Sequence, residues 1–178
     1  MSVQAAYIGV ILIWTTTPLA IKWSGESAGF LFGVTGRMVI GVVLALILLH
    51  LIGKRLVWHK KARQTYLAGG LGIYGAMLLV YWGAQFIPSG WVSVIFGLSP
   101  IITGLMTTFL LDESEMTGSR LLGLLFGVAG LAMVFAEGTR VSTEVVLGMS
   151  AVVLSTMVHS FSIVWVKKIA AALPGMTI

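Results

Sequence analysis

Few residues in this chain can do polar chemistry, and most of those that can are set in apolar surroundings. Arg37 stands in GVTGRMVIG, near the middle of an apolar run from 28 to 49. A guanidinium at that depth costs roughly 2.5–3.5 kcal/mol on insertion scales. It is either satisfied by neighbouring carbonyls and polar side chains, or it anchors an anionic or carboxylate-bearing substrate. His159 lies within a second such run, with Ser155 and Ser162 on the same helical face. A mid-membrane histidine serves as proton relay or substrate donor, or is held at a helix interface. Trp14 shares a face with Tyr7 and Pro18 in the first run, where it lines a cavity or sits as an amphipathic anchor. Tyr74, Met77, Tyr81 and Gln85 form one stripe in the third run. That stripe lines a path, or its end with Tyr81, Trp82 and Gln85 anchors the outer interface. Ser99, Thr103 and Thr107 form a polar edge in the fourth run, where hydroxyls commonly bond back to the i−4 carbonyl.

Other chemistries are poorly served. Ser99 and His159 suggest a nucleophile and base, but GLSP lies mid-helix with no glycine-flanked elbow for an oxyanion hole, so an intramembrane hydrolase is disfavoured. The three histidines have no metal-ligand spacing. The absence of cysteine excludes disulfides and thiolate metal sites. No enzyme activity, cofactor or metal is expected.

The elements that must position these residues are set by composition. Of 178 residues, 58% are hydrophobic and 10% charged, with mean hydropathy +1.03. A soluble domain carries about a quarter charged residues. The chain reads as an all-α polytopic membrane protein with six spans, near 5–22, 28–49, 65–87, 89–111, 119–136 and 145–166. Short connections make successive helices antiparallel neighbours. Pro18 frees the carbonyl of Trp14 and Pro100 that of Phe96, so both are expected to kink their helices. Small residues at Gly29 and Gly33, along Gly90, Ser93, Gly97, Gly104 and Thr108, and at Gly123, Gly127 and Gly130 predict close helix packing.

The pI near 9.8 does not imply nucleic-acid binding, because the basic residues sit in short connections. Lys54, Arg55, Lys60, Lys61, Arg63, Arg120, Lys167 and Lys168 all fall on one side of alternating spans. The positive-inside bias makes that side cytoplasmic and puts the N-terminus there. The acids of DESEMTGSR share this side, and Glu113 is expected to pair with a basic residue. Ser119 or Thr117 is placed to cap the next helix.

These segments, taken in order, resemble the EamA-type repeat of the drug/metabolite transporter superfamily. IWTTTPLAIKW is similar to the first-helix signature, and GRMVIG places Arg37 at the family's arginine. GAQFIPSGWVSVIFGLSPIITGLMTTFLLDE matches the third-to-fourth helix segment, with Gln85, Ser99, Pro100 and Glu113. LLGLLFGVAGLAMVF resembles the glycine-rich fifth helix. Thr15 and Pro18 stand where the family commonly has glycine and an apolar residue. The resemblance implies the N-terminal part of a ten-helix inverted-repeat transporter: a five-helix repeat over 1–138, then the first helix of a truncated second repeat over 139–178. It implies a bacterial inner-membrane secondary transporter that exports amino acids or related metabolites by alternating access, coupled to protons or working by facilitated exchange. The expected substrate-binding residues are Trp14, Arg37, Tyr74, Tyr81, Ser99 and His159, with the bilayer and a small-molecule substrate as partners. The other lining of the site would come from a second copy or a C-terminal half. A membrane subunit with no transport of its own is the alternative.

Overall fold

The structure is a computed structural model that describes residues 3–53, 56–111, 118–136 and 142–170. Seven helices form among the described residues: α1 (Val3–Ala28), α2 (Phe30–Leu51), α3 (Lys60–Gly83), α4 (Ser89–Phe96), α5 (Ser99–Leu111), α6 (Gly118–Ala136) and α7 (Thr143–Ala170). Phe30–Leu51, Lys60–Gly83, Ser89–Leu111 and Thr143–Ile169 are long and apolar enough to cross a membrane. α1 and α6 occupy the other two expected positions.

Two boundaries differ from the sequence reading in ways that matter. α3 begins at Lys60, so Lys60, Lys61 and Arg63 ride on its first turns rather than in the preceding connection. The fourth run is not one kinked helix but two, broken at Gly97 and Leu98. The missing N–H of Pro100 removes the helical bond to the Phe96 carbonyl. The chain adapts upstream of the proline. The Leu98 N–H tightens onto Ile95 O at 3.0 Å, and Ile101 and Ile102 N–H both donate to Leu98 O at 3.0 Å. Pro100 thereby falls in the first turn of α5, where its lost donor is tolerated. Pro18, by contrast, is buried within an unbroken α1.

α1 and α2 fold back on each other through Gly29, whose φ of +84° only glycine adopts without strain. Gly33 lies so close to α1 that a Cβ there would stand 2.7 Å from Ser24 O and 3.1 Å from the Tyr81 ring. The core gathers around this corner. Ile21, Val34, Val80, Tyr81, Ala84, Ile87, Val92, Ile95 and Val152 are all buried, drawn from α1, α2, α3, α4, α7 and the α3–α4 connection. Tyr81 shares a 3.1 Å hydrogen bond with Ser24 Oγ, and the Lys22 ammonium donates to Ile87 O at 3.3 Å. Tyr81→Phe is expected to cost about 1 kcal/mol, the net worth of that one bond. Tyr81→Ala is expected to cost about 3–5 kcal/mol through the cavity it leaves. Unfolding titrations in mixed micelles check both.

α3 and α7 make the most extensive helix pair. Gly83 meets Gly148 at one end, and Gly72 meets Ser162 and Gly69 meets Val166 toward the other, so the two run antiparallel. A Cβ on Gly83 would stand 2.7 Å from Gly148 O, and one on Gly72 would overlap the Ser162 side chain. Close approach lets buried serines bond across. Ser155 Oγ donates to Ala76 O at 2.7 Å and Ser162 Oγ to Ala68 O at 3.0 Å. α5 lies on another side of α7, where Thr103 Oγ1 donates to the fully buried Ser160 Oγ at 2.9 Å.

The glycines expected to mark close packing in the fourth and fifth runs are placed otherwise. Among the described residues, a Cβ at Gly90, Gly104, Gly123, Gly127 or Gly130 would meet nothing within 4 Å, and at Gly97 it would meet only its own helix. The expected pairing of Glu113 and capping by Thr117 fall outside the described residues, as do Lys54 and Arg55.

Candidate functional site

The polar residues singled out by sequence occupy distinct environments. Arg37 is half-buried on α2, and its Nη1 is enclosed without a hydrogen-bond partner among the described residues. In lipid, an enclosed guanidinium nitrogen with no acceptor is costly, so it is a group with unspent bonding capacity. Two residues before it, Thr35 Oγ1 shares a 3.2 Å hydrogen bond with the Tyr74 hydroxyl of α3. Thr35 thus faces α3, and Arg37, ~200° further round α2, is turned away from that contact.

His159 presents a second unspent group, because its Nδ1 is enclosed with no partner among the described residues. It lines a groove of about 440 Å³ with Tyr66, Gly69, Gly70, Ile73 and Ser162. That groove includes none of the other five expected site residues. Its α3 wall, from Tyr66 through Gly70 to Ile73, lies between the face that meets α7 and the face carrying Tyr74, by helical steps of ~100° per residue. The serines expected beside His159 are engaged elsewhere, Ser155 and Ser162 both being bound to α3.

Trp14 is 57% exposed on α1. The three threonines after it are turned inward, each hydroxyl bonding back to Ile11, Leu12 or Ile13 carbonyls at 2.7–3.2 Å. Their hydroxyls are therefore satisfied within α1. Tyr81 is 2% exposed and hydrogen-bonded within the core. Gln85 is exposed and donates locally to Trp82 O at 3.2 Å, while Trp82 stacks edge-on against Phe86. That end of the stripe has the geometry of an anchor. Ser99 is half-buried at the break between α4 and α5. Along the polar edge, Thr107 and Thr108 bond back to Thr103 O and Gly104 O, and only Thr103 reaches across to α7.

Sequence reasoning missed the Gly72, Gly83 and Gly148 contacts, although the third run reads AGGLGIYGA. Gly72 and Gly83 lie on the face of α3 opposite the aromatic stripe. Among the described residues, no cluster of histidine and acidic side chains can hold a metal ion.

Comparison with known proteins gives this arrangement its setting. The family model for the EamA-like transporter family matches residues 2–136. An uncharacterized transporter of Bacillus subtilis, YoaV, is 32% identical over 141 residues, covering 77% of this chain and 47% of that protein. A probable terminal-alkyne amino-acid exporter of Streptantibioticus cattleyicolor is 22% identical over 158 residues, covering 83% and 53% respectively. The chain therefore spans about half the length of the curated relatives it matches. No solved structure matches it. The matched region holds α1–α6 entire, with Trp14, Arg37, Tyr74, Tyr81 and Ser99, and on that match the chain belongs to the EamA-like transporter family, a family of membrane transporters.

Proposed function

We propose that this chain forms part of a secondary transporter that exports amino acids or related small metabolites by alternating access. The observation that carries the reading is the enclosed, unpartnered Nη1 of Arg37 in the α2 span. A carboxylate offers a planar guanidinium two parallel charge-assisted bonds, and few other small groups match it as well. One relative, the probable terminal-alkyne amino-acid exporter, agrees with that chemistry. His159, with its own unpartnered nitrogen, takes the role of proton relay or second donor. Trp14, Tyr74 and Ser99 provide the remaining lining, and Tyr81 holds the corner from which α1, α2 and α3 present it.

In this reading residues 1–138 form a five-helix repeat and 139–178 begin its inverted counterpart. Inverted repeats place a substrate near the midplane, where the halves rock about it. A second copy or a C-terminal half completes the lining. The protein sits in the bacterial inner membrane with its N-terminus cytoplasmic, on the side of the basic connections.

The test uses the full 178-residue chain in liposomes preloaded with a panel of labelled amino acids. Efflux is compared with that of the Arg37→Ala/His159→Ala double variant. The expected result is efflux of at least one amino acid by the parent and its loss in the double variant. Efflux unchanged by both substitutions refutes the two roles.

A further inference from the structure

We propose that the basic end of the α3–α7 pair is a binding site for an anionic phospholipid, its phosphate held between Lys60 and Lys168 and an acyl chain lying in the groove below. The antiparallel crossing brings the basic start of α3 and the basic end of α7 to the same end of the pair, with Lys168 level with about Leu67 and Lys60 about two turns beyond it. Below that end a groove of about 550 Å³ runs between the helices. Gln64, Leu67 and Leu71 form its α3 wall, and Phe161, Trp165 and Ile169 its α7 wall. The apolar lining is open to the surroundings, with Leu67 60% and Leu71 70% exposed.

Each wall is crowned by a lysine on its own helical column. On α3, Lys60, Gln64, Leu67 and Leu71 follow i, i+4, i+7, i+11 spacing and share a face. On α7, Phe161, Trp165 and Lys168 follow i, i+4, i+7, and Lys168 lines the adjoining groove with Phe161 and Trp165. Both lysines are exposed. Trp165 stacks edge-on against Phe161 at 5.1 Å, an amphipathic ring set between the lysines and the apolar floor. At the floor, Ser162 Oγ is already bonded to Ala68 O, which leaves the groove suited to hydrocarbon.

Charge complementarity selects the occupant. Lys60 and Lys168 both stand at this end of the pair, and neither helix carries an acid there. The acids of this side, Asp112, Glu113 and Glu115, belong to the α5–α6 connection. A zwitterionic headgroup brings its own cation and gains little from two lysines. An anionic headgroup gains from each basic residue near the surface. A free phosphate would satisfy the lysines but leave the apolar walls unused. The inference does not depend on the transport reading.

The experiment places the full chain in micelles carrying phosphatidylglycerol or phosphatidylcholine with brominated acyl chains. Quenching assigned to Trp165 is the difference between the parent and Trp165→Phe. Phosphatidylglycerol is expected to quench Trp165 at a concentration at least roughly fivefold lower than phosphatidylcholine, the scale of one basic residue near an anionic surface. Lys60→Gln/Lys168→Gln is expected to erase that difference. Arg63→Gln, about 40–100° off the residues of this column by ~100° steps, is expected to keep it. Far-ultraviolet circular dichroism verifies that every variant retains its helices. Equal quenching by both lipids overturns the proposal, as does a preference that survives the double substitution. Loss of the preference in Arg63→Gln to the same extent overturns it in favour of net charge. Abolition of the preference by inorganic phosphate alone overturns the lipid assignment in favour of a free anion.

Discussion

Gly83→Val is expected to destabilise the bundle by about 3 kcal/mol or more, the upper part of the range for an overpacked contact. The new Cβ would stand 2.7 Å from Gly148 O, 2.9 Å from Val152 Cγ2 and 3.2 Å from Ala151 Cβ. The nearest of these is backbone of the opposite helix, so no rotamer change relieves it and the two helices must part. Parting them also lengthens the Ser155–Ala76 bond, now 2.7 Å, at a further cost of about 1 kcal/mol. Gly72→Val should cost less, because its obstacle is the short Ser162 side chain rather than a carbonyl. Gly104→Val and Gly123→Val, with open space around their Cβ positions, should stay within about 0.5 kcal/mol. Reversible unfolding in detergent mixtures ranks the four. A Gly83→Val protein no weaker than Gly104→Val is incompatible with the close α3–α7 crossing.

The second large effect concerns Arg37 and has two parts of opposite sign. Under the proposed function, Arg37→Gln removes one partner of a desolvated charge pair with the substrate carboxylate. Breaking such a pair costs about 3–5 kcal/mol, which is roughly 10²- to 4 × 10³-fold in transport rate. Arg37→Lys keeps the charge but loses the planar fork and should fall between. Stability moves the other way. The guanidinium costs roughly 2.5–3.5 kcal/mol within a span, so Arg37→Gln should insert and resist unfolding at least as well as the parent. A purely structural arginine predicts loss of both properties together. Efflux of an amino acid and of its carboxamide, measured beside unfolding of the same variants, separates the two cases. Equal sensitivity of the two substrates to Arg37→Gln would remove the carboxylate from the argument.

How much of this was legible in the sequence follows from which physical signal each feature leaves. Hydropathy marks helices long enough to cross a bilayer, and four of the expected runs hold such helices among the described residues. The same signal is blind to where a helix breaks inside an apolar run. Pro100 announced a disturbance, but Gly97 and Leu98 decided its place, because a proline is accommodated in a first turn and the strain moves upstream. Glycine spacing was a weaker guide. Gly33 and Gly83 each meet a neighbouring helix, whereas Gly104 and Gly127 meet nothing among the described residues, and no local pattern distinguishes them. Contact is a property of the partner, and the partner of Gly83 lies 65 residues away at Gly148. The candidate site was legible as residue types out of place in lipid. Arg37 and His159 were identifiable for that reason, and both carry enclosed unpartnered nitrogens. Tyr81 could not be told from Tyr74 by spacing, yet one is locked to Ser24 in the core and the other stands half-buried opposite Thr35.

The break between α4 and α5 also bears on how the chain enters the membrane. α4 has eight residues and α5 thirteen, rising about 12 Å and 20 Å at ~1.5 Å per residue. Neither reaches across a hydrocarbon core of about 30 Å. During synthesis α4 alone is too short to partition stably, and its exposed end carbonyls would face lipid. It must wait, either until α5 has emerged or against the already inserted α3 through Ile87 and Val92. In the first case α4 and α5 are committed as one insertion unit. Accessibility of Gly90→Cys in ribosome-arrested chains of increasing length would report the residue at which commitment occurs.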